Sequence, residues 1–140
     1  MSLSLDEKQQ QLIDDYLLIE DAQERLAAIV DRARPRPPLS AAERTEANRV
    51  RGCMSQAWVV GEWRAGRGHF RGDADSPLVR GLILLLCDLY SDAAPADIVA
   101  TAPRVLDALG LERTLSPTRL NGLRSVRARI ADLARAAAGA

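Results

Sequence analysis

Apolar positions in the first part of the chain recur at helical spacing. Leu5, Leu12, Ile13, Tyr16 and Leu17 form one stripe, opened by Ser4 and Glu7 at capping-box spacing. Leu26, Ile29 and Val30 predict a second helix from about Asp21. The run Arg34-Pro35-Arg36-Pro37-Pro38 then stops it, because proline lacks the amide donor and restricts the residue before it. Residues 34–38 read as a stiff linker inside one domain. Ser40 and Glu43 repeat the capping-box spacing over a short, weakly apolar segment, which predicts a helix to about Ala47.

The middle changes period. Ala57–Trp63 reads as a strand, Ala65–Gly68 as a turn and His69–Gly72 as the returning strand. Ser76 and Pro77 supply a cap and a first-turn proline for a helix through Tyr90. That helix is apolar on two faces, through Leu78, Leu82, Leu85, Leu86 and Leu89 and again through Val79 and Ile83, so it is expected to be the central buried one. Short helices are predicted over Pro95–Ala100 and Pro103–Leu109, the latter ended by Gly110. A last helix starts at Ser116-Pro117 and turns Leu120, Leu123, Val126, Ile130 and Leu133 inward. The Ala-rich tail, residues 136–140, is expected to fray. The sum is an α+β fold, one small antiparallel sheet packed against several helices, in a single domain over residues 1–140.

Composition removes several functions. With 19 basic and 19 acidic side chains the net charge is zero, so there is no general electrostatic case for nucleic acid or an anionic membrane. Arg124, Arg127 and Arg129 span more than one face of the last helix, which is a poor nucleic-acid stripe. The longest apolar run, Leu82–Cys87, is too short to span a bilayer, and no basic leader with an apolar segment opens the chain. The expected location is cytoplasmic. Two cysteines and one histidine fall short of a four-ligand Cys/His zinc site or a four-cysteine cluster within one chain, so neither is expected.

Covalent chemistry, if present, falls to a cysteine. Cys87 sits at helical spacing among leucines and reads as a small buried hydrophobe. Cys53 follows Gly52, precedes Ser55 and Gln56, and stands just before a strand, where a glycine bend presents a thiol at a loop. Pairing it with His69 is opposed by the hairpin. A turn centred between Gly66 and Arg67 sets His69 against Arg64, roughly 35 Å of extended strand from Cys53. The same register returns Asp73–Ser76 toward Trp58, so Asp75 is the acidic group expected near Cys53. Arg119, just inside the last helix, reads as either a solvated charge or a partner contact.

These residues resemble a known family. Asn48–Val60, with its Gly52-Cys53-Met54-Ser55-Gln56-Ala57-Trp58 core, is similar to the active-cysteine loop of the SufE sulfur-acceptor proteins. Gly72-Asp73-Ala74-Asp75 with Val79-Arg80-Gly81-Leu82, then Pro95–Val99, then Leu115–Leu123 resemble later segments of that family in the right order. The resemblance covers about residues 40–130. It implies an α+β fold shared with cluster scaffold proteins, which usually carry three cysteines that this chain lacks. It also implies a persulfide carrier that takes sulfur from a pyridoxal-phosphate (PLP)-dependent, SufS-like cysteine desulfurase, stimulates that enzyme, and passes sulfur to an iron–sulfur scaffold complex. Cys53 is then the acceptor, Arg51, Gly52, Met54 and Ser55 its supporting loop, and Asp75 and Arg119 partner-facing residues. Neither turnover by the protein alone nor a metal or bound cofactor is expected of such a carrier. A redox sensor or peroxidase using Cys53, a non-catalytic binding module, and a homodimer remain as alternatives at this point.

Overall fold

In the computed structural model, which describes residues 3–52 and 56–139, α1 (Leu5–Leu17) opens with the expected reciprocal cap. Ser4 Oγ accepts the Glu7 amide and the Glu7 carboxylate accepts the Ser4 amide, both at 3.1 Å. The inward stripe differs from the expected one. Leu17 is exposed at the helix end, and Gln9 is fully buried instead. A buried amide is tolerated there because both of its ends are satisfied: Nε2 donates to the Ala102 carbonyl and Oε1 accepts the Val105 amide.

Asp21 caps α2 (Ala22–Ala33), which buries Leu26 and Ile29. Val30 is only half-buried, because it meets the next layer through its backbone: a Cβ on Gly81 would come within 2.9 Å of Val30 Cα. After the proline linker the predicted helix over Ser40–Ala47 does not form. Turns and a single 3-10 turn, Glu46–Asn48, replace it. Glu43 does receive the Ser40 amide and hydroxyl, but it also pairs with Arg71 on the sheet, and Leu39 and Arg44 are both held by Asp73. Tertiary polar contacts outcompete a helix with almost nothing apolar to bury.

The hairpin is β1 (Ala57–Arg64) and β2 (Arg67–Ala74), antiparallel, with Arg64 opposite Arg67. Its turn is therefore tighter than predicted, with Ala65 at φ +52° and Gly66 at φ +76°. His69 faces Glu62 rather than Arg64. Ser76 caps α3 (Pro77–Tyr90), the buried centre of the molecule, which packs against β2, α2 and α1. The helix α4 (Pro95–Ala100) is as predicted, whereas the segment expected to run Pro103–Leu109 is reduced to α5 (Val105–Ala108). Gly110, at φ +72°, then turns the chain into an unpredicted single turn, α6 (Leu111–Thr114). The long α7 (Pro117–Ala138) lies across α3, α4 and β1. Its helical bonds run to Ala138.

One core joins all of these elements, from Leu5 to Ala134. The architecture is α+β, with a two-stranded antiparallel sheet against helices.

Candidate functional site

The chain enters the sequence around Cys53 through a glycine that nothing else replaces easily. Gly52 has φ +83°, a left-handed conformation that side chains resist. A Cβ there would also lie 2.8 Å from Ser125 Oγ on α7. The Ser125 hydroxyl donates to the Asn121 carbonyl at 3.1 Å, so the surface that Gly52 meets is itself fixed. The two flanks of the segment are tied together. The Val50 amide donates to the Ala57 carbonyl at 2.8 Å, Arg49 bridges Trp58, and the Asp75 amide donates to the Gln56 carbonyl at 3.0 Å. Val50 and Ala57, one on each flank, are thus paired with each other, and Gly52 sits against α7. Cys53, Met54 and Ser55 themselves lie outside the described residues.

A polar clasp holds the approach to this loop. Asp73 is 2% exposed and accepts from the Leu39 and Ala74 amides, from Arg44 at 2.5 Å and from Arg80 Nε at 2.9 Å. Burial alone would raise its pKa, but the hydrogen bonds from Arg44 and the two amides outweigh that and hold it below the usual carboxylate value. Arg80 continues inward to the carbonyls of Ala33, Arg36 and Pro37, so one carboxylate fastens the proline linker to the start of α3. Arg44 also lies over the Trp58 ring, 5.4 Å from its centroid. On the outer side Glu43 pairs with Arg71, which also reaches Glu62, and its pKa is brought down to about 2, chiefly by Arg71. Asn48 donates to the Glu43 carbonyl and accepts from Arg129, whose Nε donates to the Val59 carbonyl at 2.9 Å.

A cleft of about 440 Å³ opens beside Gly52, between the 3-10 turn and α7. Its polar wall consists of Glu46, Arg49, Arg51, Ser125, Arg129 and Asp132. Burial pulls the Arg129 guanidinium down from its ordinary value, and Asp132 works against that shift.

Of the residues singled out from sequence, the structure brings Arg51, Gly52 and Asp75 to this region. Arg51 and Asp75 are exposed. Arg119 is exposed in the first turn of α7, its amide on Ser116 Oγ. Cys87 is fully buried, and burial pushes its thiol far above the ordinary range, as its place among leucines predicts. The C-terminal arginines are consumed internally: Arg127 donates to the carbonyls of Ile98, Val99 and Thr101 and stacks on Tyr90, while Arg124 bonds Asn121. Among the described residues no group of three or more His, Cys, Asp or Glu side chains is arranged to hold a metal. Nor is any described helix long and apolar enough to cross a membrane.

Sequence reasoning missed Ser125, and it gave Arg129 and Asn48 no individual role at the site. Nothing local marks them; they matter only because α7 lies against Gly52 and the 3-10 turn. The sole available signal was that Gly52 precedes a cysteine and so needs a surface to turn against.

Residues 10–134 match the SufE family, described as an Fe-S metabolism associated domain. An uncharacterized SufE-like protein of Rhizobium etli is 35% identical over 135 residues, covering 93% of this chain and 91% of the relative. One from Synechocystis is 34% identical over 89 residues, covering 64% of this chain and 56% of that protein. The solution structure of a hypothetical protein from Thermus thermophilus shares the fold, with a TM-score of 0.78 at 21% identity over 95% of this chain and 97% of that one.

Proposed function

The chain belongs to the SufE family, associated with iron–sulfur metabolism, and on that premise we propose that it is a cytoplasmic sulfur carrier using Cys53. A PLP-dependent cysteine desulfurase presents sulfane sulfur as a persulfide on its own cysteine. The Cys53 thiolate attacks the outer sulfur, the S–S bond of the donor breaks, and the donor cysteine leaves as thiolate. The protein then carries Cys53–S–SH to the machinery of iron–sulfur cluster assembly, and by removing the product it stimulates the desulfurase. Nothing in the exchange is oxidised or reduced overall, so the chain needs no metal or cofactor of its own.

The observation that carries this reading is the left-handed Gly52 turn, seated on Ser125 and immediately preceding Cys53 in the sequence, in a chain that matches the family over residues 10–134. Asp75, whose amide bonds the Gln56 carbonyl, and Arg119, in the first turn of α7, are both exposed and are the partner-facing residues of the proposal. A peroxidase or sensor that closes a disulfide within the chain would have to use Cys87, which is sealed in the core.

The test is intact-mass spectrometry after mixing the protein with a cognate desulfurase, PLP and cysteine without reductant, followed by peptide mapping. Added sulfur on Cys53 that persists in Cys87→Ser and vanishes in Cys53→Ser is the expected result. An unmodified Cys53 beside a desulfurase shown to be active on its own and with a second, related desulfurase would overturn the reading.

A further inference from the structure

The cleft beside Gly52 carries an imbalance of charge. Of its two carboxylates, Glu46 is already paired with Arg49 at 3.2 Å, and Asp132 with Arg135 at 3.0 Å. Arg51 and Arg129 remain, and among the described residues neither has a carboxylate within 4.0 Å. Arg129 is half-buried, and its guanidinium is held by a carbonyl and an amide oxygen, while Asp132 of the same cleft, bonded to Arg135, acts on it only from beyond ion-pair distance. A partly desolvated cation lining a cleft is a place where an anion is favoured, and carboxylates suit the guanidinium fork. Ala47, Ala128 and Leu133 give the same cleft an aliphatic floor. Its volume, about 440 Å³, lies in the range of small-molecule sites. Ser125 lines it while touching Gly52, so its contents lie beside the turn that leads into Cys53.

We propose that this cleft binds a small carboxylated thiol, of the size of cysteine to a glutathione-like tripeptide, with its carboxylate on Arg129 and Arg51. The inference rests on the carrier reading for its consequence: the bound thiol is an acceptor of the sulfur carried on Cys53. Its thiolate attacks the outer sulfur of Cys53–S–SH, the S–S bond to Cys53 breaks, and Cys53 leaves as thiolate. The outer sulfur departs with its proton as the small-molecule persulfide. The exchange is redox-neutral, and the acceptor thiol is its only co-reactant.

Binding is tested without any sulfur chemistry. In ¹⁵N NMR titrations S-methylglutathione, which has carboxylates and no reactive sulfur, is expected to shift the amides of Ala47, Ser125 and Ala128 saturably. Arg129→Gln weakens that binding roughly tenfold, the loss of about one charge-assisted hydrogen bond. Arg129 also braces β1, so the exposed Arg51→Gln is run in parallel and is expected to act in the same direction, while Arg64→Gln on the hairpin leaves binding unchanged. For transfer, the persulfidated protein loses sulfur to glutathione with a rate that saturates, and to uncharged 2-mercaptoethanol with a rate that stays linear. No saturable shift at those amides, equal binding of the dimethyl ester, or linear rates with both thiols overturns the proposal. Because the titration needs no reaction at Cys53, loading of Cys53 by a desulfurase stands or fails separately.

Discussion

At the scale of single residues, Asp73 and Gly72 show why a short acidic motif at the end of a hairpin is structural. Asp73 is the buried anion on which Arg44, Arg80 and two amides converge. Asp73→Ala would strand two guanidinium groups and is expected to cost about 3 kcal/mol, read as a lowered urea midpoint. Gly72 lies where β2 crosses α3. A Cβ there would sit 2.5 Å from Ile83 Cγ2, 3.2 Å from the Trp58 carbonyl and 3.3 Å from Cys87 Sγ. Gly72→Ala therefore overpacks the core, with an expected loss of about 2 kcal/mol in the same measurement. Cys87 gives a third, chemical expectation. Fully buried, with its thiol pushed well up, it should resist iodoacetamide in the native protein and react fully in denaturant, as peptide mapping of the alkylated protein would show. Rapid native alkylation of Cys87 would contradict the packing of α3.

At the scale of elements, the hairpin and the segment before the loop behave differently. The two-residue turn places a non-glycine residue, Ala65, at φ +52° beside Gly66 at φ +76°. Both positions of this turn type favour residues that accept a left-handed backbone. Ala65→Asn or Ala65→Gly is expected to raise stability by about 0.5 kcal/mol, seen as a small rise in melting temperature without change in the sheet. The segment 40–50 shows the opposite situation, in which local capping chemistry is present but tertiary bonds decide. Ser40 and Glu43 keep their contact, yet Glu43 is turned to the sheet by Arg71 and no helix follows. The result is a strap of turns that delivers Gly52 onto Ser125 of α7. A residue with a side chain at 52 must both adopt φ +83° and displace the serine. Gly52→Ala is thus expected to slow sulfur loading more than it lowers stability, a split that mass spectrometry and thermal melting resolve together.

At the scale of the whole molecule, depressed carboxylates tie the layers together and set a response to acid. Glu43 lies at about 2 against an ordinary 4.5, and Asp73 lies below its ordinary 3.8. In both the folded value is the lower one, so over that window the unfolded chain binds more protons. Their stabilisation is complete above the ordinary carboxylate values and is lost as pH falls from about 4.5 toward 2. The urea midpoint is expected to decline through that range, and more gently in Asp73→Asn, which keeps the shape but removes the titrating group. Arg25 works at the same scale from the other end. Buried between α2 and the α5–α6 turn, it donates to the Ile19 and Leu109 carbonyls and so joins helices distant in sequence.

Sequence by itself determined whatever a local signal suffices to fix. Caps and prolines set the starts of α1, α2, α3, α4 and α7, because Ser4, Asp21, Ser76 and Ser116 satisfy orphan amides within their own turn. Leucine spacing marked α3 as the buried centre and Cys87 as part of it. The family motif singled out Cys53 and its glycine. Tertiary structure alone decided what depends on residues far apart in the chain. Gln9 could replace an apolar side chain only because the backbone of residues 102–105 receives it. The helix over 40–47 was lost to bonds from Asp73 and Arg71, 29 and 28 residues away from their partners Arg44 and Glu43. Ser125 meets Gly52, and Arg129 meets Asn48 and Val59, because α7 packs against β1. Hydrophobic period and capping are short-range properties of a helix or strand, whereas the partner of a buried charge is chosen by three-dimensional proximity, which no local spacing encodes.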